Sequence, residues 1–113
     1  MLQTILRGDT QMVRSELEEF VGQEVGVEYT VERVGRGGQF RCIKFVKVFV
    51  VREHKLVQVA EVHHIHVQKP TEFLFSQKEG VVVRAVGRVL AYTKKGGVRD
   101  FTVQEFRAER VVK

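Results

Sequence analysis

The sequence predicts a small, mostly β protein built on an antiparallel sheet. Valine supplies 23 of the 113 residues, and β-branched side chains fit the pleated surface of a sheet. From residue 24 onward, apolar side chains recur at every second position, which is the period of a half-buried strand. Gly-rich segments separate these stretches, as hairpin turns require. We predict a single domain over residues 1–113, because the chain is too short for two ordinary domains.

An N-terminal helix is predicted over residues 10–21. Asp9 or Thr10 offers a side-chain oxygen that can cap a helix, and apolar residues follow at helical spacing. Gly22 is expected to end the helix, since glycine tolerates the left-handed cap conformation. The polar face of this helix is acidic, and we do not expect it to contact phosphate.

An antiparallel β core is predicted over residues 24–111. The first strand begins at Glu24, and the other four are predicted over residues 40–52, 56–67, 81–93 and 98–111. A short helix after Pro70 is expected to connect the third strand to the fourth, with a hairpin as the alternative. Strict alternation along the second strand would place Arg41, Ile43, Phe45, Lys47 and Phe49 on one face.

This order of elements resembles the oligonucleotide/oligosaccharide-binding (OB) fold, a five-stranded Greek-key barrel. The resemblance covers residues 24–111 and rests on the order of strands and helices, not on a residue motif. A leading helix is not part of the OB core. It fits a cystatin-like or cone-shaped fold better, in which one helix packs across a curved antiparallel sheet. We therefore predict an OB-like barrel with an N-terminal helix, and keep the helix-on-sheet fold as the alternative.

Charge is distributed unevenly along the chain. The formal net charge is +5. Residues 1–32 contain two basic and seven acidic residues, giving −5, whereas residues 33–113 contain 17 basic and seven acidic residues, giving +10. A module this basic attracts polyanions, because each neutralised phosphate releases condensed counterions. The alternative interpretation is an ordinary solvated surface.

The charge pattern and the OB resemblance together predict a nucleic-acid-binding module. Single-strand binders combine a basic groove with aromatic side chains on which bases stack. The resemblance implies a binding face formed by the second and third strands and by the loops after the first and fourth strands. The expected partner is single-stranded DNA or RNA, bound with little sequence specificity. The predicted contact residues are Arg36, Arg41, Phe45, Lys47, Arg84, Arg88, Tyr92, Lys94, Lys95 and Arg99.

Two aromatic residues of the second strand have an alternative interpretation, in which Phe45 and Phe49 belong to the core instead of a stacking face.

The rival function is a homo-oligomeric protein-interaction or regulatory module, for example a homodimer that covers the edges of the sheet. A barrel that holds a small ligand is a further alternative.

Metal binding has two candidate ligands in the sequence. On a strand, His64 and His66 point to one face and His63 to the other. Zinc sites normally need three or four ligands, and Cys42 could join only if neighbouring strands align suitably. We therefore predict no metal site and no cofactor, and interpret Cys42 as a small buried hydrophobic residue.

Catalysis and membrane insertion are not predicted. The chain has no strained nucleophile turn, no phosphate-binding loop and no dinucleotide fingerprint, so a non-enzymatic function is expected. A single cysteine excludes an internal disulfide, and neither a signal peptide nor a long apolar run is visible. The expected location is the cytoplasm, without a membrane partner.

Overall fold

A computed structural model describes residues 14–112, and five strands account for most of them. The strands are β1 (Glu24–Val34), β2 (Arg41–Arg52), β3 (Lys55–Val67), β4 (Val82–Thr93) and β5 (Arg99–Val111). The α-helix α1 (Glu72–Ser76) connects β3 to β4, and two 3₁₀ helices cover Ser15–Phe20 and Arg36–Gly38. The predicted mostly β class, the five antiparallel strands and the helical connector are confirmed.

The strands form one sheet in the order β3-β2-β1-β4-β5, and every neighbouring pair is antiparallel. β1 is the central strand; its Val27 pairs with Val48 of β2 and with Ala85 of β4. β3 and β5 are the two edges, and no backbone ladder joins them within residues 14–112. The predicted closed barrel is therefore not confirmed.

The core lies on one face of this sheet and receives apolar side chains from all five strands. Val27, Val48, Ile65, Val89 and Val103 are almost fully buried, and burying each such side chain contributes about 1.5–3 kcal/mol. The first 3₁₀ helix and α1 add further buried apolar side chains to the same cluster. Both short helices are therefore held by tertiary packing.

The predicted helix over residues 10–21 is not confirmed. Residues 10–13 lie outside the described part of the chain, and Ser15–Phe20 forms a 3₁₀ helix instead of an α-helix. The physical reason is the spacing of its buried side chains: Leu17 and Phe20 are three residues apart, and side chains at i and i+3 align in a 3₁₀ helix. Val21, which an α-helix would place on the apolar face, is exposed.

The helix-on-sheet alternative finds no counterpart in residues 14–112. The longest helix in that range has six residues, about 12 Å at the rise of a 3₁₀ helix, too short to cross a five-stranded sheet. No helix in the same range is long and apolar enough to pass through a membrane.

A β-bulge in the middle of β2 interrupts the alternation of its side chains. Thr30 of β1 pairs with Lys44, and Glu28 pairs with Lys47, so β2 contains one extra residue in this interval. Phe45 lies at the bulge and has a φ of 53°, in the left-handed region that non-glycine residues rarely adopt.

The bulge reverses which positions of β2 face the core. Ile43 is buried upstream of the bulge, whereas Val46 and Val48 are buried downstream. The prediction of strict alternation is therefore wrong for this strand, because Ile43 and Phe45 do not share a face. The same reversal leaves Cys42 on the side of the sheet opposite Val46 and Val48, with which strict alternation would have grouped it.

Side chains bridge the gap between β3 and β5 where no ladder exists. Arg14 donates from Nη2 to the carbonyl oxygen of His64 at 2.7 Å and from Nη1 to that of Phe101 at 3.0 Å. Gln104 donates from Nε2 to the carbonyl oxygen of His66 at 2.8 Å and accepts from the amide of Gln68 at 3.1 Å. The Gln104 amide thus donates and accepts as a peptide group of an adjacent strand would. We call this line between β3 and β5 the seam.

Candidate nucleic-acid interface

A cleft of about 600 Å³ opens along the seam. This volume lies within the range of small-ligand sites in proteins. The wall from β3 carries imidazole and amide groups, the wall from β4 and β5 carries apolar, phenol, hydroxyl and amide groups, and Arg14 also lines the space. The lining residues are Arg14, His64, His66, Gln68, Leu90, Ala91, Tyr92, Thr102 and Gln104. We call it the seam cleft.

Tyr92 is the aromatic residue in the β4 wall of the seam cleft. Its side chain is 39% exposed, and its hydroxyl donates to Oδ2 of Asp100 at 3.2 Å. Burial, followed by the negative charge of Asp100, raises the pKa of the Tyr92 hydroxyl above its ordinary value. Tyr92 therefore remains neutral at physiological pH, with its phenol anchored at one end and its ring along the cleft.

Asp100 organises this end of the cleft from a buried position. Its carboxylate accepts backbone N–H groups of Arg14 and Phe101, each at 2.8 Å, and contacts Nζ of Lys94 at 3.1 Å. Burial acts to raise the pKa of Asp100, but these donors outweigh it and the pKa lies below its ordinary value. The ionised carboxylate therefore fixes Arg14, Tyr92 and the base of the β4–β5 hairpin together.

The β4–β5 hairpin extends beyond Tyr92 and is basic. Gly96 and Gly97 both have positive φ, which supports the predicted glycine turn. Lys95 and Arg99 are exposed, and neither forms an ion pair with any residue in the described range. Lys94 is already paired with the buried Asp100. The guanidinium of Arg99 lies over the ring of Phe101, 5.3 Å from its centroid, so these two side chains carry charge that no carboxylate in residues 14–112 neutralises.

The β1–β2 loop lies beside the β3 wall of the cleft. The ring of Phe40, at the end of this loop, packs against the ring of His66 with 4.8 Å between centroids. The amide of Gly35 donates to the carbonyl oxygen of Phe40 at 2.7 Å and closes the loop. Arg36 is exposed between these two residues. The structure therefore places Arg36 and the β4–β5 hairpin on opposite sides of the seam cleft.

Arg41, one of the predicted contact residues, is buried and is not available to a ligand. It is 4% exposed, and its guanidinium donates from Nε to the carbonyl oxygen of Glu32 and from Nη1 to that of Phe75, each at 2.9 Å. Arg41 therefore attaches the end of α1 to β1. Strict alternation misplaced it because the bulge at Phe45 reverses the orientation of this part of β2.

Arg84 and Arg88 of β4 lie outside the cleft and form ion pairs with carboxylates of β1 and β5. Nε of Arg84 lies 2.9 Å from Glu28. Arg88 contacts Glu24 at 3.6 Å and Glu105 at 3.4 Å. Neither residue lines the seam cleft. The structure thus separates these two arginines from the hairpin cations that the sequence grouped with them.

Phe45 and Lys47 lie on a different part of the sheet surface. Phe45 is 46% exposed, so it is not a core residue, and its ring meets that of His63 edge-on at 5.8 Å. Lys47 pairs in register with Glu28 on one side and Glu61 on the other. Both line a shallow depression separate from the seam cleft. Phe49 is half-buried.

The structure brings together the metal-ligating side chains that the sequence analysis named without predicting a site. The ligand atoms of Cys42, His64 and His66 all lie within 4.8 Å of one another. Burial raises the pKa of the Cys42 thiol. Burial, followed by the neighbouring charge of His64, lowers the pKa of His66. The histidine spacing was visible in the sequence, whereas the alignment of Cys42 with His66 depends on a strand register that the sequence does not specify.

Comparison of the chain with family models, with curated proteins and with solved structures finds no match. Function must therefore be argued from the site itself. Of the predicted contact residues, Tyr92 lines the seam cleft. Arg36 lies in the β1–β2 loop, Lys94 and Lys95 lie in the β4–β5 turn, and Arg99 begins β5. Sequence reasoning missed Arg14, Thr102 and Gln104, whose roles depend on the seam.

Proposed function

We propose that the protein binds single-stranded nucleic acid in the seam cleft, with an OB-type barrel left open at the seam. One observation carries the proposal: an exposed tyrosine ring and the cleft it lines lie between two basic loops. The strand order, with a short helix between β3 and β4, supports the OB comparison. OB folds bind oligonucleotides through the second and third strands and through these same two loops.

Phosphate neutralisation supplies the affinity in this proposal. Arg36, Lys95 and Arg99 are exposed and form no ion pair with a carboxylate in residues 14–112. Each phosphate that meets one of these cations releases condensed counterions from the strand. By contrast, Arg84 and Arg88 would first have to give up carboxylate partners, so they contribute little.

Base stacking supplies the second contribution. The Tyr92 ring lines the cleft and is anchored through its hydroxyl, and one base stacked on it would contribute about 1–3 kcal/mol. Polar groups of Gln68 and Thr102 lie in the same cleft and can meet base edges. Stacking accepts every base, so the sequence preference should be slight.

The test is fluorescence anisotropy of a labelled strand of about 20 nucleotides, titrated with the protein at two salt concentrations. We expect micromolar or tighter binding that weakens as salt rises. Tyr92→Ala should weaken binding by about 5- to 150-fold, which corresponds to the loss of about 1–3 kcal/mol of stacking. Lys95→Ala/Arg99→Ala should reduce the slope of log affinity against log salt by about 1.4, because each lost phosphate contact removes about 0.7.

Arg84→Ala/Arg88→Ala is the matched control. It removes two positive charges, as the hairpin variant does, but from residues that are paired with carboxylates outside the cleft. Equal losses from this control and from Lys95→Ala/Arg99→Ala would show that net charge, not the cleft, attracts the strand. Absence of binding at low salt would remove the proposal. It would favour the protein-interaction alternative, for which the exposed pair Val51 and Leu56 at the β2–β3 hairpin is the first surface to test.

A further inference from the structure

Four side chains with metal-ligating atoms meet on the outer surface of β1, β2 and β3, at the edge of the seam cleft. Three of them, Cys42, His64 and His66, form a cluster whose ligand atoms lie within 4.8 Å of one another, and the fourth, Glu32, contacts His64. We propose that these four residues bind one Zn²⁺ ion. The proposal does not rest on nucleic-acid binding, since it concerns a different ligand and uses none of the cationic residues of the two loops, although His64 and His66 also line the seam cleft.

The register of three adjacent strands brings these residues together. Cys42 of β2 pairs with His66 of β3, and His64 lies two residues earlier on the same face of β3. Glu32 of β1 lies where the β1–β2 register shifts, between Val31 and Val34, and its carboxylate reaches the cluster through His64, 3.2 Å from Nε2. β2 and β3 thus contribute three ligands from a regular ladder, and β1 contributes Glu32 from an irregular interval.

The distances suit a tetrahedral ion after a small adjustment. The ligand atoms of Cys42, His64 and His66 lie within 4.8 Å of one another. Zinc bond lengths to sulfur and nitrogen place two ligands of one ion about 3.3–3.6 Å apart. Rotation of the side chains within their preferred torsions can close the difference of about 1 Å, and the half-buried or exposed imidazoles of His64 and His66 have room to rotate.

Glu32 and His64 already show the separation of two ligands on one ion. Oε1 of Glu32 lies 3.2 Å from Nε2 of His64. Both atoms are buried, yet they form no hydrogen bond with each other or with any other residue in the described part of the chain. Burying polar atoms without a hydrogen bond costs free energy. A cation bound between them would satisfy both, and would explain why they approach without hydrogen-bond geometry.

The donor set selects zinc over calcium or magnesium. A thiolate and two imidazoles are ligands that Zn²⁺ prefers, whereas Ca²⁺ and Mg²⁺ prefer oxygen. On binding, a zinc–sulfur bond forms and the thiol proton of Cys42 passes to solvent. The charges of the thiolate, the Glu32 carboxylate and the ion then sum to zero, which suits a partly buried position.

The surroundings of the two histidines fix their backbone. The carbonyl oxygen of His64 accepts from Arg14, and that of His66 accepts from Gln104. The ring of Phe40 packs on that of His66. Such outer contacts orient ligands before a metal arrives. The ring of His63 lies against Phe45 and 6.4 Å from the ring of His64. His63 is not among the residues whose ligand atoms cluster, and therefore provides a control within the same sequence.

The experiment is a Co²⁺ titration of the untagged chain after chelation and reduction. We expect one Co²⁺ per chain, with a thiolate-to-cobalt charge-transfer band in the near ultraviolet and the visible absorption of tetrahedral cobalt. Added Zn²⁺ should remove both signals. Cys42→Ser should abolish the charge-transfer band, while His66→Gln and Glu32→Gln should each weaken binding at least about tenfold, since even outer-shell substitutions commonly cost that much.

His63→Gln is the matched control, and it should bind Co²⁺ as the unsubstituted chain does. His66 is exposed, so His66→Gln should keep the fold, which far-ultraviolet circular dichroism can verify even if Cys42→Ser is unstable. The proposal is overturned if the folded chain gives no charge-transfer band, or if His63→Gln weakens binding as much as His66→Gln. The second result would indicate non-specific capture by surface histidines.

Discussion

At the scale of single residues, the two most buried charged side chains, Asp100 and Arg41, each have several hydrogen-bond partners. Asp100 is 1% exposed and receives two backbone N–H groups, the Tyr92 hydroxyl and the Lys94 ammonium. Arg41 is buried in the same manner, with two carbonyl acceptors. Neither partnership was visible in the sequence, because the partners of Asp100 include Arg14, 86 residues away.

The lowered pKa of Asp100 predicts a loss of stability in acid. The folded carboxyl has a pKa below that of the unfolded chain, which is about 3.9, so the folded state holds its proton less tightly. This contribution is therefore fully present above about pH 4 and is lost as pH falls through the folded pKa. Asp100→Asn should reduce the free energy of unfolding at pH 7 by about 1–3 kcal/mol, and the gap between the two proteins should narrow in acid.

Urea denaturation between pH 7 and pH 3 measures this difference. Glu53→Gln, which changes an exposed carboxylate in a hairpin turn, is the control and should leave the pH dependence unchanged. A gap between Asp100→Asn and the unsubstituted protein that stays constant over the whole range would show that the carboxylate charge is not responsible.

At the scale of the elements, alternation and turn residues predicted the strands, and local geometry corrected them. The predicted glycine turn at Gly96 and Gly97 has the positive φ values that the sequence indicated. Strict alternation in β2 failed at Phe45, because an aromatic residue gives no sign that its backbone will adopt a left-handed conformation. That single bulge explains why the sequence assigned Arg41 to the surface.

The β2–β3 hairpin contains two strained residues that can be relieved. Glu53 and His54 form its two-residue turn with φ of 51° and 65°. Asn-Gly is the pair best suited to such a turn, whereas other side chains cost about 1–2 kcal/mol each in this region. We expect Glu53→Asn/His54→Gly to increase the free energy of unfolding by about 1–2 kcal/mol, measured by chemical denaturation.

Replacing glycines by alanine in the β4–β5 hairpin tests the same effect in the opposite direction. Gly96→Ala/Gly97→Ala places side chains on two residues with positive φ, and should destabilise the protein by a similar amount. If the Asn-Gly variant were no more stable than the original chain, the left-handed turn would not be the source of strain.

At the scale of the whole molecule, the seam separates this sheet from a closed barrel. Elsewhere each strand is joined to its neighbours by a backbone ladder, whereas β3 and β5 depend on Arg14 and Gln104. The sequence supported the order of strands, but it could not show the seam. The side-chain hydrogen bonds across the seam come from single residues, Arg14 and Gln104, which no repeating sequence pattern marks.

Gln104→Leu should weaken the seam specifically. The substitution leaves the carbonyl oxygen of His66 and the amide of Gln68 without their partner, and should cost about 1 kcal/mol of stability. Amide exchange at Gln68 should accelerate, while exchange within β1 should not. Gln58→Leu, an exposed residue elsewhere on β3, is the control. Equal acceleration throughout the sheet would indicate global destabilisation instead of local opening.

The bulge at Phe45 also sets a rule for how β2 can change in length. Upstream of the bulge odd-numbered positions face the core, and downstream even-numbered positions do. The extra residue therefore switches the buried positions of β2 from odd-numbered to even-numbered residues. A chain lacking Phe45 would have to turn one half of β2 over, exposing Ile43 and burying Lys44, or else move Val46 and Val48 out of the core. Single-residue insertions or deletions in this strand should therefore be tolerated only in compensating pairs, and the orientation of Cys42 toward the histidines depends on a residue three positions away.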